Sequence, residues 1–151
     1  MIQLFGFREN YYLQHMENGK SNIPKILVVD DEKKWFDYLK VMADTEKVVL
    51  DMTYAYNGEV ALDVLATGKK FDAILMNIEM PFLNGLAATE RIREEDKETP
   101  IIAWTCHSRY YMQENCKDVG MNDFIEKDVP RLMKDIVESL GKFGIEVSTK
   151  T

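Results

Sequence analysis

The constraint that weighs most on this chain is a repeated alternation of short apolar runs with segments of helical periodicity. KILVV (Lys25 to Val29) is a compact apolar run that ends in acids, the pattern of a buried strand. Phe36, Leu39, Met42 and Ala43 then recur at helical spacing. Val48, Leu50, Met52 and Tyr54 alternate with Val49, Asp51, Thr53 and Ala55, as in a strand with one more exposed face. Asn57-Gly58 opens a helix containing Ala61, Leu62 and Leu65, with Gly68 near its end. DAILMN (Asp72 to Asn77) predicts a third strand, and Pro81 and Gly85 punctuate the loop after it. A helix through Ala88 and Ile92 leads to a strand from Pro100 to Thr105. Ser108 is placed to cap a fourth helix that stops near Gly120. Asp123 to Glu126 predicts the last strand, and Asp128 is placed to cap a fifth helix with Leu132, Ile136 and Leu140 on its inner face. Pro130 is tolerated in that helix's first turn.

Five strands alternating with five helices imply a parallel sheet covered on both faces, because each crossover helix must pack back on the sheet. The expected architecture is α/β, doubly wound and flavodoxin-like, with strand order 2-1-3-4-5 and a site at the carboxyl ends of the strands. Residues 25–141 form this domain, residues 1–24 an extension and residues 142–151 a loose tail. Phe143, Ile145 and Val147 could give that tail a short extended piece. Phe5, Phe7, Tyr11 and Tyr12 lie in the extension without clean periodicity, and could pack on the domain or on a partner.

Composition narrows the function. With 46% hydrophobic and 30% charged residues the chain can bury a core, and its formal net charge of -7 argues against direct, nonspecific nucleic-acid binding. No apolar run approaches the roughly 20 residues that span a bilayer, and the amino terminus lacks the basic-then-apolar pattern of a secretory signal. Cys106 and Cys116 lack metal-type spacing and are expected as reduced thiols of a cytoplasmic protein.

Four segments carry chemistry. Asp30-Asp31-Glu32 follows the first strand, DAILMNIEMPFLNG surrounds Asn77, PIIAWT ends on Thr105, and NDFIEK ends on Lys127. Their residues and order resemble the receiver domain of two-component response regulators, over about Lys25 to Leu140. In that resemblance Asp30, Asp31 and Glu32 form the acidic cluster, Asn77 stands where the phosphate-accepting aspartate belongs, Thr105 takes the family's hydroxyl position, Phe124 the switch-aromatic position and Lys127 the lysine position. A magnesium ion would be held by Asp31 directly, by Asp30 through water, and by position 77 and the backbone carbonyl of Glu79. The physical logic agrees: converging carboxylates repel one another, and a hard cation with oxygen ligands relieves that repulsion.

Asn77 is the departure. An amide oxygen is a far poorer nucleophile than a carboxylate, so no phosphorylation is expected there. The lost charge weakens magnesium binding without forbidding it. Lys127 is followed by Asp128 rather than proline, so a trans peptide bond is expected. Trp104 and His107 add bulk beside Thr105. The expected function is a receiver-like signalling module of the phosphorelay class, not an enzyme. It would work through contacts with a sensor kinase, another receiver, an output protein or a second copy of itself, without membrane insertion. Tyr110, Tyr111 and Met112 on the fourth helix are the interface candidates. The alternative is a conventional phosphoacceptor carrying an engineered asparagine. A flavodoxin-like or hydrolytic enzyme is disfavoured, since the chain has no glycine-rich phosphate loop and no evident nucleophile–base pair.

Overall fold

The structure, a computed structural model, describes residues 16–17, 20–21 and 23–150. The aromatic residues of the amino-terminal extension, Phe5, Phe7, Tyr11 and Tyr12, lie outside them. Five parallel strands form the central sheet: β1 (Lys25–Val29), β2 (Asp51–Ala55), β3 (Ala73–Met76), β4 (Ile101–Thr105) and β5 (Asp123–Glu126). Their spatial order is β2-β1-β3-β4-β5, the expected 2-1-3-4-5. The connecting helices are α1 (Lys33–Thr45), α2 (Gly58–Ala66), α3 (Gly85–Glu95), α4 (Arg109–Asp118) and α5 (Leu132–Lys142). A small antiparallel pairing of Met16–Glu17 with Lys20–Ser21 precedes the sheet.

The two-residue period of a strand divides the core into two halves. Leu27 and Val29, Ile74 and Met76, Ile101 and Ala103, and Phe124 face one side, where Ala61, Ala88, Ile92 and Cys116 bring α2, α3 and α4 against them. Ile26 and Val28, Ala73 and Leu75, Ile102 and Trp104, and Ile125 face the other. There α1 contributes Phe36, Leu39 and Ala43, and α5 contributes Leu132, Met133, Ile136 and Leu140. A near-continuous apolar strand such as KILVV is therefore required, because both of its faces are covered.

Local chemistry fixes the helix starts. Asn57 accepts from the Val60 N–H at 2.9 Å, Asn84 from that of Ala87 at 2.9 Å, and Ser108 from that of Tyr110 at 3.3 Å. Gly68 and Gly120 follow α2 and α4 with positive φ, where a side chain would be strained.

Three expectations need correction. Asp128 does not cap α5: the cap position is Arg131, which makes no side-chain cap bond, and residues 129–131 form a turn instead. The second strand begins at Asp51. Val48 and Val49 are buried ahead of it, because Val48 forms an antiparallel bridge with Thr149. The segment after α5 is accordingly not loose. The Val49 N–H donates to the Ser148 carbonyl at 3.0 Å, the Lys150 N–H to the Lys47 carbonyl at 2.7 Å, and Ile145 and Val147 pack on the α1–α5 side of the core.

Candidate functional site

Asp30, Asp31, Asn77, Glu79, Thr105 and Lys127 lie at or just beyond the carboxyl ends of the strands, and hydrogen bonds join five of them into two polar clusters, Asp30 with Lys127 and Asn77 with Asp31 and Glu79. The first is built on Asp30. It sits at the end of β1 with no solvent exposure. One carboxylate oxygen accepts the Glu32 N–H at 2.9 Å, and the other accepts Lys127 Nζ at 2.5 Å. Lys127 emerges from the end of β5, its backbone N–H bonded to the Thr105 carbonyl at 2.8 Å. Its side chain is 2% exposed. Burial pushes the Asp30 carboxyl above the ordinary aspartate value, against the lowering pull of Lys127 and of the Glu32 N–H. The Tyr54 hydroxyl donates to the Asp30 carbonyl at 2.7 Å and ties β2 to the same corner.

The second cluster centres on Asn77, which is buried. Its amide nitrogen donates to Asp31 Oδ1 at 3.1 Å and to the Glu79 carbonyl at 3.0 Å, while its Oδ1 accepts the Ile78 N–H at 3.0 Å. The reverse amide orientation would set Oδ1 against two acceptors and the amide N–H groups against a donor, so the bonding pattern selects this one. Behind it the chain is sterically fixed: a Cβ on Gly85 would lie 2.0 Å from the Asn77 carbonyl oxygen, so only glycine lets α3 start so close.

With these bonds made, the oxygens that the resemblance assigns to a magnesium ion are already engaged. The oxygens of Asp31 and Glu79 that would face the metal receive the Asn77 amide N–H groups, and Asp30 is neutralised by Lys127. Among the described residues, no group of three or more His, Cys, Asp or Glu side chains is placed to hold a metal ion.

Around these clusters the loops are pinned. Thr105 is buried, its Oγ1 accepting the His107 N–H at 3.2 Å. His107 Nε2 reaches Glu79 Oε2 at 2.9 Å, linking the loop after β4 to the loop after β3. Phe124 is buried under Arg109, whose guanidinium lies 5.8 Å from its ring centroid and donates to its carbonyl at 2.7 Å. Tyr110 and Tyr111 stand on α4, 88% and 76% exposed, with rings packed edge to face. Met112 is half-buried and packs partly against the inner core. Trp104 adds no bulk on the Thr105 side, since it is wholly buried on the α1–α5 side. The Lys127–Asp128 bond is trans, as expected.

Sequence reasoning missed three of these contacts: His107 with Glu79, Arg109 with Phe124, and Lys127 with the indoles of Trp35 and Trp104, at 4.9 and 4.7 Å from their centroids. No spacing rule announces them. Only the adjacency of β4 and β5 in the sheet brings Trp104 to Lys127.

Comparison with known proteins agrees with this fold. The family model described as the response regulator receiver domain matches residues 26–139, and the chain belongs to that family. It is 33% identical over 126 residues to hybrid signal transduction histidine kinase L of Dictyostelium discoideum, covering 80% of this chain and 7% of that protein. It is 36% identical over 93 residues to two-component response regulator 24 of Arabidopsis thaliana, covering 62% of this chain and 66% of that one. Several relatives are much longer than the matched region; the chain covers only 45% of transcriptional regulatory protein DltR of Streptococcus agalactiae. Among solved structures it resembles response regulator TrrA of Thermotoga maritima in complex with magnesium and a beryllium fluoride (29% identity, TM-score 0.66, 78% of this chain and 99% of that one). It also resembles the receiver domain of sensor histidine kinase PA1611 of Pseudomonas aeruginosa PAO1, with magnesium in its active-site cleft (29% identity, TM-score 0.68, 80% and 97%). The chain is thus a receiver domain of two-component signalling. Among the described residues no helix is long and apolar enough to cross a membrane.

Proposed function

We propose that this receiver domain signals through protein contacts without a phosphorylation cycle at position 77, and that it is not an enzyme. One observation carries the reading: the Asn77 amide donates to Asp31 and to the Glu79 carbonyl while its oxygen is occupied by the Ile78 N–H. A working acceptor needs an anionic oxygen free to attack phosphorus, and this oxygen is neutral and already bonded. The same bonds weaken divalent-cation binding, because magnesium would have to displace an N–H donor from its own ligands. Thr105, Phe124 and Lys127 then act as fixed structural members of the fold, and the receiver occupies mainly one state. Its partners are a sensor kinase, another receiver or an output protein, in the cytoplasm, where Cys106 and Cys116 are free thiols.

The test is incubation with acetyl phosphate and magnesium, followed by intact mass and peptide mapping. No phosphoryl group should map to Asn77. A phosphoryl group found on Asn77 would overturn the reading, and stable labelling of Asp30 or Asp31 would return phosphoregulation to this domain.

The exposed Tyr110–Tyr111 pair supports a contact face on α4. Replacing both by alanine should leave stability within about 0.5 kcal/mol, since neither side chain is buried. Partner binding or self-association should weaken by about tenfold or more, as expected for aromatic anchors. Pull-down and sedimentation of the double variant check this; unchanged association with an intact fold removes the face from consideration.

A further inference from the structure

Lys127 is held by more than its ion pair. Its ammonium lies 4.9 Å from the Trp35 ring centroid and 4.7 Å from that of Trp104, with Asp30 Oδ2 at 2.5 Å. The two indoles are themselves fixed. Their centroids are 6.4 Å apart at an interplanar angle of 73°, so they form two walls of one recess. Trp104 donates its Nε1–H to the Val29 carbonyl at 3.3 Å, and Trp35 meets Tyr38 edge to face at 6.2 Å. An ammonium has three N–H donors and no acceptor. Here a carboxylate takes one, and two π faces lie within cation–π range of the rest of the charge.

We propose that Trp35 and Trp104 are positioning residues that cage the Lys127 ammonium on Asp30. This rests on the reading of the domain as non-phosphorylated and deepens it, because a caged lysine stays in one ion pair rather than following a ligand.

The test is competitive acetylation of the intact folded chain with limiting acetic anhydride, read residue by residue by peptide mass spectrometry. Lys134, whose side chain is 66% exposed and 3.8 Å from Glu138, serves as the internal reference. In the unmodified chain Lys127 should react at least about tenfold more slowly than Lys134. Trp35→Leu keeps apolar bulk but removes the π face, and should speed Lys127 labelling by about tenfold, the equivalent of roughly 1.4 kcal/mol. Trp35→Phe restores an aromatic face and should return the rate to within about threefold of the starting value. Trp35 is only half-buried, so these variants are expected to fold. Should Trp35→Leu fail to, Trp35→Met fills the gap with a flexible apolar side chain and carries the same expectation. The proposal is overturned if labelling stays as slow without the ring as with it, which would leave the Asp30 pair as sufficient. It is equally overturned if the phenylalanine variant reacts as fast as the leucine one. Neither result bears on whether Asn77 accepts a phosphoryl group.

Discussion

Replacing Lys127 with methionine is expected to cost about 3–5 kcal/mol of folding stability at neutral pH, the range for removing one partner of a buried ion pair. Asp30 has no solvent exposure and keeps only the Glu32 N–H once Nζ is gone. The loss should depend on pH with a definite sign. Burial already raises the folded Asp30 value, and removing Lys127 takes away a lowering influence, so it rises further. A carboxyl with a raised folded value binds more protons folded than unfolded, so the variant gains stability as pH falls through that value. Urea melts of the two proteins should therefore differ most near neutrality and converge in mild acid. Adding Asp30→Asn to Lys127→Met should recover part of the loss, because no buried charge is left alone. A loss below about 1 kcal/mol, or one equal at both pH values, would show that the pair is not buried and coupled as described.

Asn77→Asp should make the domain dependent on a divalent cation. The new carboxylate loses both N–H bonds to Asp31 and Glu79 and sets two negative charges together, which should destabilise the metal-free protein by about 1–3 kcal/mol. Magnesium should restore that loss, by about 2.7 kcal/mol at a concentration 100 times the dissociation constant. In the unmodified chain magnesium should change the melting temperature little, and its affinity should be lower by at least about tenfold, or 1.4 kcal/mol. Melting curves in EDTA and in magnesium, with calorimetric titration of both forms, decide it. Equal magnesium affinity in the two forms would mean that position 77 does not face the cation.

The fold was largely legible because its signals are local. KILVV and AILM are apolar on both faces, as a sandwiched parallel strand requires, and Asn57 and Ser108 announce helix starts within their own turns. What failed depended on contacts distant in sequence. Val48 pairs with Thr149, so neither the edge of β2 nor the order after α5 could be read from either segment alone. Asp128 has a capping residue's chemistry, but Val129, Pro130 and Arg131 turn before the helix begins.

The site shows the same division. Motif order placed Asp30, Asp31, Asn77, Thr105 and Lys127 at one edge of the sheet. Their choice of partners was not legible, because Asp30 and Lys127 are 97 positions apart and the indoles beside Lys127 come from α1 and β4. Asn77 could be read as a missing nucleophile. That its nitrogen would bond the oxygens which the resemblance assigns to a metal follows only from the Ile78 N–H fixing which way the amide turns.

The bridge between Val48 and Thr149 also determines where the chain leaves the domain. Val48 precedes β2, and Pro24, whose carbonyl accepts the Asp51 N–H at 2.9 Å, precedes β1. Both lie at the amino ends of the parallel strands, whereas Asp30, Asn77 and Thr105 lie at the carboxyl ends. A fluorophore, affinity handle or neighbouring domain joined beyond residue 150 would thus hang from the floor of the sheet. The Asn77 end would face away from that tether, with the length of the strands between them.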